Sequence, residues 1–130
     1  MTFRILLVDD NPSFLAAVRL FLDTLPAIQV VGEARNGQDA LLKTVLLQPD
    51  LVLLDISMPD MNGMEVARRI QSWPAPPAIV FLSMNSSDAY QTATRELGAF
   101  GFLEKSRLVV ELPMIIERLL KIRPGAGAVC

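Results

Sequence analysis

A chain of 130 residues, 52 % hydrophobic and 20 % charged, can bury one sizeable core and leaves little room for a second domain. Its net charge is −2, it has three lysines (Lys43, Lys105 and Lys121) and no basic run, so direct nucleic-acid binding by this domain is not expected. The absence of histidine removes Ser-His-Asp catalysis, histidine-ligated zinc and histidine phosphorylation, and leaves a metal site to be built from oxygens, which favours magnesium or a similar hard cation.

The first predicted strand, Phe3–Val8, runs into Asp9-Asp10. Asn11-Pro12 then supplies a cap and a first-turn proline for a helix whose apolar face is Phe14, Leu15, Val18, Phe21, Leu22 and Leu25. A second strand is predicted at residues 28–32, and after Asn36-Gly37 a second helical stripe carries Ala40, Leu41, Val45 and Leu46. The third strand, residues 51–54 (LVLL), ends at Asp55; after Asn62-Gly63 a third stripe holds Val66, Ala67, Ile70 and Trp73. The fourth strand, residues 79–82 (IVFL), ends at Ser83, and a weakly apolar helix capped by Ser86 or Ser87 is closed by Gly98. Residues 101–103 form the fifth strand, shortly before Lys105, and Leu112, Ile115, Ile116 and Leu119 mark the fifth helix. The third and fourth strands are apolar at every position, as parallel strands covered on both faces should be.

Residues 1–122 thus read as one domain, and residues 123–130 as a small, flexible tail or the start of a linker. No apolar stretch approaches the roughly 18–20 residues of a membrane span, and no secretory signal opens the chain. The single cysteine, Cys130, permits no intrachain disulfide, and a cytoplasmic location is expected.

Five strand–helix units imply an α/β fold with a doubly wound sheet, whose ligands bind at the carboxyl ends of the strands. At those ends stand Asp9, Asp10, Asp55, Ser83 and Lys105. Carboxylates held within several ångströms of one another repel strongly, and a divalent cation relieves that repulsion. The expected arrangement has Asp10 and Asp55 as direct magnesium ligands, the backbone carbonyl of Ser57 as another, and Asp9 acting through a water. Asp55 would then attack phosphorus to form an acyl phosphate, with Lys105 and the metal neutralising the equatorial oxygens and Ser83 donating to the attached phosphoryl group.

Asp9-Asp10, the run from Asp55 to Gly63 (DISMPDMNG), Ser83 and the run from Gly101 to Lys105 (GFLEK) resemble the receiver domain of bacterial two-component response regulators. The resemblance covers about residues 3–122 and rests most on the Asp-x-x-Met-Pro-x-Met-x-Gly loop. It implies a flavodoxin-like, five-stranded parallel sheet ordered 2-1-3-4-5. It also implies that a sensor histidine kinase or histidine phosphotransfer protein supplies the phosphoryl group. Phe102 would be the switch aromatic, turning inward as Ser83 moves toward the phosphoryl group and changing the partners of the surface formed by the fourth helix, fifth strand and fifth helix. That surface would serve an output domain or partner protein. The domain would be a phosphoacceptor switch, not an enzyme acting on other substrates.

Three departures from the family pattern bear on the switch. Ser106 follows Lys105 where proline is frequent in the family, so the loop into the fifth helix is expected to differ, as it does in receivers attached to LuxR-type DNA-binding domains. Met84 follows Ser83 where a small residue is usual, and its thioether is expected to cover the phosphoryl site. Phe100 beside Phe102 is expected to expose a ring to a partner. Leu20 and Leu120, near the edges of their arcs, fit either a homodimer surface or ordinary peripheral packing. Two rival enzymes or carriers fare worse. A haloacid-dehalogenase-like phosphatase needs an acid two residues after its nucleophile, where Ser57 stands. A flavodoxin-like carrier needs a Ser/Thr/Gly-rich phosphate loop where Asp9-Asp10-Asn11-Pro12 stands.

Overall fold

The run LVLL has no polar face to offer water, and the structure removes it from water entirely: Leu51, Val52, Leu53 and Leu54 are all 0 % exposed. The computed structural model describes residues 2–84 and 88–122. Its elements in chain order are β1 (Phe3–Val8), α1 (Pro12–Leu22), β2 (Ile28–Ala34), α2 (Gly37–Leu47), β3 (Leu51–Asp55), α3 (Gly63–Gln71), β4 (Ala78–Ser83), α4 (Asp88–Glu96), β5 (Gly101–Glu104) and α5 (Leu108–Ile122). A 3-10 turn, Lys105–Arg107, leads into α5. The strands are parallel and ordered β2-β1-β3-β4-β5, the order implied by the resemblance.

Alternate residues of the central strands face two core layers. Ile5, Leu7, Leu51, Leu53, Val80 and Leu82 pack with residues of α1 and α5, including Leu15, Val18, Leu112 and Ile116. Leu6, Val8, Val52, Leu54, Ile79 and Phe81 pack with residues of α2 and α3, including Ala40, Val66 and Ile70. Burying each large side chain contributes roughly 1.5–3 kcal/mol, enough in sum to tolerate unfavourable charge at one edge of the sheet.

Asparagine caps open three of the helices. The side chain of Asn11 accepts from the N–H groups of Ser13 and Phe14 (2.9 and 3.1 Å), that of Asn36 from Asp39 N–H (2.8 Å), and that of Asn62 from Met64 N–H (2.7 Å). Each such cap is worth about 1 kcal/mol. Gly98 closes the turn after α4 at φ 84°, donating its N–H to Arg95 O at 3.0 Å, as its sequence position predicts.

Some element ends differ from the sequence reading. The pairing of Val8 with Ala34 carries β2 past residue 32, and the pairing of Ser83 with Glu104 carries β4 and β5 one residue further. α1 ends at Leu22 and α3 at Gln71, so Leu25 and Trp73 lie beyond their helices while still packing on the core. The apolar stripe therefore recorded burial, not helix length. Phe100 is half-buried against the α1–α5 layer, with the Arg118 guanidinium 5.8 Å from its ring centroid, so it is not the exposed ring expected. The cap expected at Ser86 or Ser87 and the tail from Arg123 lie outside the described residues. Among the described residues, no helix is long and apolar enough to cross a membrane.

Candidate functional site

In this strand order the chain leaves β1 toward β2 on one side and later returns to build β3 on the other, which opens a crevice at the carboxyl ends of β1 and β3. Val8 pairs with Leu54, so the residues that follow, Asp9 and Asp55, are level at that crevice. Asp9 N–H continues the ladder to Ala34 O (3.0 Å) and Ile56 N–H donates to Leu82 O (3.0 Å), which fixes the backbone on either side. Among the described residues, Asp9, Asp10 and Asp55 bring one carboxylate oxygen each to within 4.8 Å of the others.

Their surroundings differ. Asp9 is fully buried; its Oδ1 accepts Asn11 N–H at 2.9 Å, and its Oδ2 lies 2.6 Å from Lys105 Nζ. That second contact is an ion pair without an aligned hydrogen bond, so a buried anionic oxygen keeps unmet acceptor capacity. Lys105 Nζ also lies 3.5 Å from Asp55 Oδ2 and 4.7 Å above the Phe14 ring. Asp55 is 4 % exposed, and Asp10 is open to solvent. Burial, and then the negative charge of Asp9, push the Asp55 carboxyl up to about 6, against the pull of Lys105 and of the Ser57 N–H, which donates to Asp55 Oδ1 at 3.2 Å. Three carboxylates face one ammonium. A hard divalent cation with oxygen ligands suits that donor set, and Asp9 Oδ2 shows that the present partners do not saturate it.

The loop from β3 to α3 forms the other wall. Asp10, Ile56, Ser57, Met58, Pro59 and Asn62 line an open depression of about 420 Å³. Gly63 closes the loop by donating to Ile56 O at 2.8 Å, and a Cβ on it would stand 2.2 Å from the carbonyl oxygen of Asp55. Only glycine lets α3 start this close to the backbone of Asp55. Met58, Met61 and Met64 pack against the α2–α3 layer.

Ser83, buried at the end of β4, and Phe102, half-buried in the adjacent β5, occupy neighbouring strands, with Phe102 paired to Phe81 and packed against the α2–α3 layer. Met84 is 73 % exposed, which leaves most of its side chain in water, so the cover expected of it is at most partial. No peptide bond among the described residues is cis, and Ser106 sits in the 3-10 turn before α5. Two participants escape the sequence reading. Phe14, read as plain core, lies under Lys105, and Asp60, read as one letter of a motif, binds the start of α2. Only a contact 91 residues away in the first case (105 − 14) and 23 in the second (60 − 37) reveals them.

A doubly wound parallel sheet with an acidic crevice at its switch point defines a domain of the flavodoxin-like class built around carboxylates. The chain belongs to the response regulator receiver domain family, which matches residues 5–117. The protein-glutamate methylesterase/protein-glutamine glutaminase of Pseudoalteromonas atlantica is 39 % identical over 106 residues, which cover 81 % of this chain and 28 % of that protein. The protein of the same name from Bacillus subtilis is 36 % identical over 127 residues, covering 95 % of this chain and 36 % of that protein. The chain thus spans about a third of the length of the curated relatives it matches. Among solved structures, a LuxR-family two-component response regulator from an Aurantimonas species superposes with a TM-score of 0.87 at 32 % identity, covering 95 % of this chain and 88 % of that one. The response regulator domain of Thermotoga maritima CheB gives 0.77 at 29 %, covering all of both chains.

Proposed function

We propose that this receiver domain is a magnesium-dependent phosphoacceptor switch in which Asp55 takes a phosphoryl group from a sensor histidine kinase or a histidine phosphotransfer protein. The observation that carries this reading is the meeting of Asp9, Asp10 and Asp55 within 4.8 Å beside Lys105, with one buried oxygen of Asp9 lacking an aligned donor. With its carboxyl at about 6, Asp55 is mostly ionised at neutral pH and nucleophilic. Its oxygen forms the new O–P bond while the P–N bond to the donor imidazole breaks and the ring leaves with the electron pair. Asp10, Asp55 and the Ser57 carbonyl would hold magnesium directly, and Asp9 through a water. The bound metal supplies positive charge that screens the carboxylates and the phosphoryl oxygens. Lys105 moves toward the transferred group, since the added charge approaches −2 and outcompetes Asp9 for the ammonium.

Ser83 donates its hydroxyl to the attached phosphoryl group, and Phe102, in the next strand, follows it inward. The surface of α4, β5 and α5 then changes its affinity for an output domain or partner protein. Leu20 and Leu120, 72 % and 40 % exposed, are the surface through which a homodimer would form. The domain acts in the cytoplasm and catalyses only its own phosphorylation and dephosphorylation. The activity named for the longer relatives is not assigned to this chain, which spans about a third of their length.

Incubation with Mg²⁺ and acetyl phosphate or phosphoramidate, followed by intact mass, tests the central step. One added phosphate is expected, lost with EDTA present or in Asp55→Ala. Uptake that survives Asp55→Ala overturns the assignment.

A further inference from the structure

Asp60 stands in the middle of the β3–α3 loop, and both its oxygens are engaged. One accepts Gly37 N–H at 2.8 Å and the other accepts Gln38 N–H at 3.2 Å. These are the first two donors of α2, and the third, Asp39 N–H, goes to the side chain of Asn36 at 2.8 Å. A helix has no internal acceptors for its first N–H groups. α2 therefore meets that need with two side chains, one local and one reaching in from the loop that borders Asp55. The backbone donors, Gly37 first, hold the Asp60 carboxyl below the usual carboxylate range, so it remains a charged acceptor at the positive end of the helix.

The surroundings make this a fastening of the loop and not of the helix alone. A Cβ on Gly37 would lie 2.7 Å from Met61 Cβ and 3.1 Å from Val66 Cγ2, so the start of α2 and the loop are in direct contact. At one end, Ser57 N–H is held on Asp55 Oδ1 at 3.2 Å; at the other, Gly63 N–H is held on Ile56 O at 2.8 Å. Between these ends Asn62 caps the α3 that follows, and Asp60 is the residue whose side chain, among the described hydrogen bonds, reaches beyond β3 and α3 to a third element. Three residues before it is Ser57, whose carbonyl the magnesium reading uses.

We propose that Asp60 is a positioning residue for the metal site: by fastening the middle of the β3–α3 loop to the first turn of α2, it aims the Ser57 carbonyl and raises the affinity of the acidic crevice for Mg²⁺. The inference rests on the magnesium reading and adds a consequence that reading lacks. Because coupling is reciprocal, metal binding tightens the first turn of α2, the element to which Asp60 is bonded.

The test is an Mg²⁺ titration of the isotope-labelled full chain followed by amide chemical shifts, with exchange protection of the Gly37 and Gln38 N–H groups recorded with and without metal. Asp60→Ala is expected to weaken Mg²⁺ binding about tenfold, the scale seen when a partner that orients a metal ligand is removed. Asp60→Asn, which keeps one acceptor oxygen and guards against a variant that fails to fold, is expected to fall between. Asn36→Ala removes the other cap of the same helix and lowers Tm by a similar amount, yet leaves Mg²⁺ affinity within about twofold because the loop stays fastened. In the wild type, metal is expected to increase protection of Gly37 and Gln38. Equal Mg²⁺ affinity of Asp60→Asn and wild type, or a loss in Asn36→Ala as large as in Asp60→Ala, overturns the inference while the magnesium reading stands. A wild-type chain that shows no Mg²⁺-dependent shifts overturns both.

Discussion

Asp50 precedes β3 and Asp55 ends it, and the two carboxylates are treated in opposite ways. At the amino end, Asp50 Oδ2 accepts Arg4 N–H at 2.8 Å, while its backbone N–H donates to Arg4 O (2.8 Å) and its carbonyl accepts Ala78 N–H (3.1 Å). One residue thus ties β1, β3 and β4 together, with its N–H, its carbonyl and one carboxylate oxygen matched to backbone. At the carboxyl end, Asp55 shares a crevice with Asp9 and Asp10, and its carboxyl is pushed up to about 6 by burial and by Asp9. Volume does not separate the two ends. The groove at the amino end, lined by Asp50, Trp73 and the prolines that follow it, holds about 450 Å³, slightly more than the 420 Å³ depression beside Asp55. The difference is in satisfaction: one end uses its charge to hold strands, and the other keeps charge in excess of its partners. Chemistry is expected where polar groups remain under-satisfied.

The sharpest way to break this contrast is to remove the cation. Lys105 Nζ is 2.6 Å from Asp9 Oδ2, on a carboxylate that is 0 % exposed. Lys105→Met leaves that charge and Asp55 uncompensated, and is expected to cost about 3–5 kcal/mol in metal-free urea unfolding, much of it restored by Mg²⁺. A loss unaffected by Mg²⁺ would mean that the ammonium serves packing and not charge. Gly63→Ala comes next. Its Cβ would lie 2.2 Å from the Asp55 carbonyl oxygen, an overlap with backbone that cannot rotate away, and about 3 kcal/mol is expected.

The third prediction has the opposite sign. The folded-state value of Asp55 is about 6 against 3.8 for the free group, so the folded state holds this proton more tightly than the unfolded state. Its contribution is fully present below about pH 4 and is lost as pH rises through 6, leaving a penalty of up to about 3 kcal/mol in neutral, metal-free solution. Asp55→Asn is therefore expected to stabilise the metal-free domain by about 2 kcal/mol at pH 8 and by almost nothing at pH 4, while abolishing phosphate uptake. Urea midpoints at the two pH values, read with intact mass, check both halves.

How much of this was legible before the fold was in hand depends on the range of each interaction. Asp55 could be read because it follows four apolar residues that can only be a buried strand, and the Asn11 cap because cap and helix are neighbours in sequence. The meeting of Asp9, Asp55 and Lys105 was legible once strand order was assumed, since all three sit at strand ends. Asp60 was not, because its partners are 23 and 22 residues away and nothing in local periodicity marks them. Asp50 drew no notice for the same reason, with Arg4 46 residues upstream. The apolar stripes run past the ends of α1 and α3 because Leu25 and Trp73 still pack, partly buried, on the core after the helix stops, and apolar spacing cannot tell the two apart.

The smallest effect is the most discriminating. Asp50→Ala deprives Arg4 N–H of its acceptor and is expected to cost about 1 kcal/mol, with phosphate uptake unchanged. The value lies in combining it with Lys105→Met. β3 is five residues long, so roughly 17 Å of strand separates the two ends. Sites that far apart with no shared partner add within about 0.5 kcal/mol. An additive double variant means that the amino end carries structure alone. A coupling above about 1 kcal/mol would instead show that strain at the acidic crevice is transmitted down β3 to Asp50, and that the two ends of the strand form one electrostatic unit.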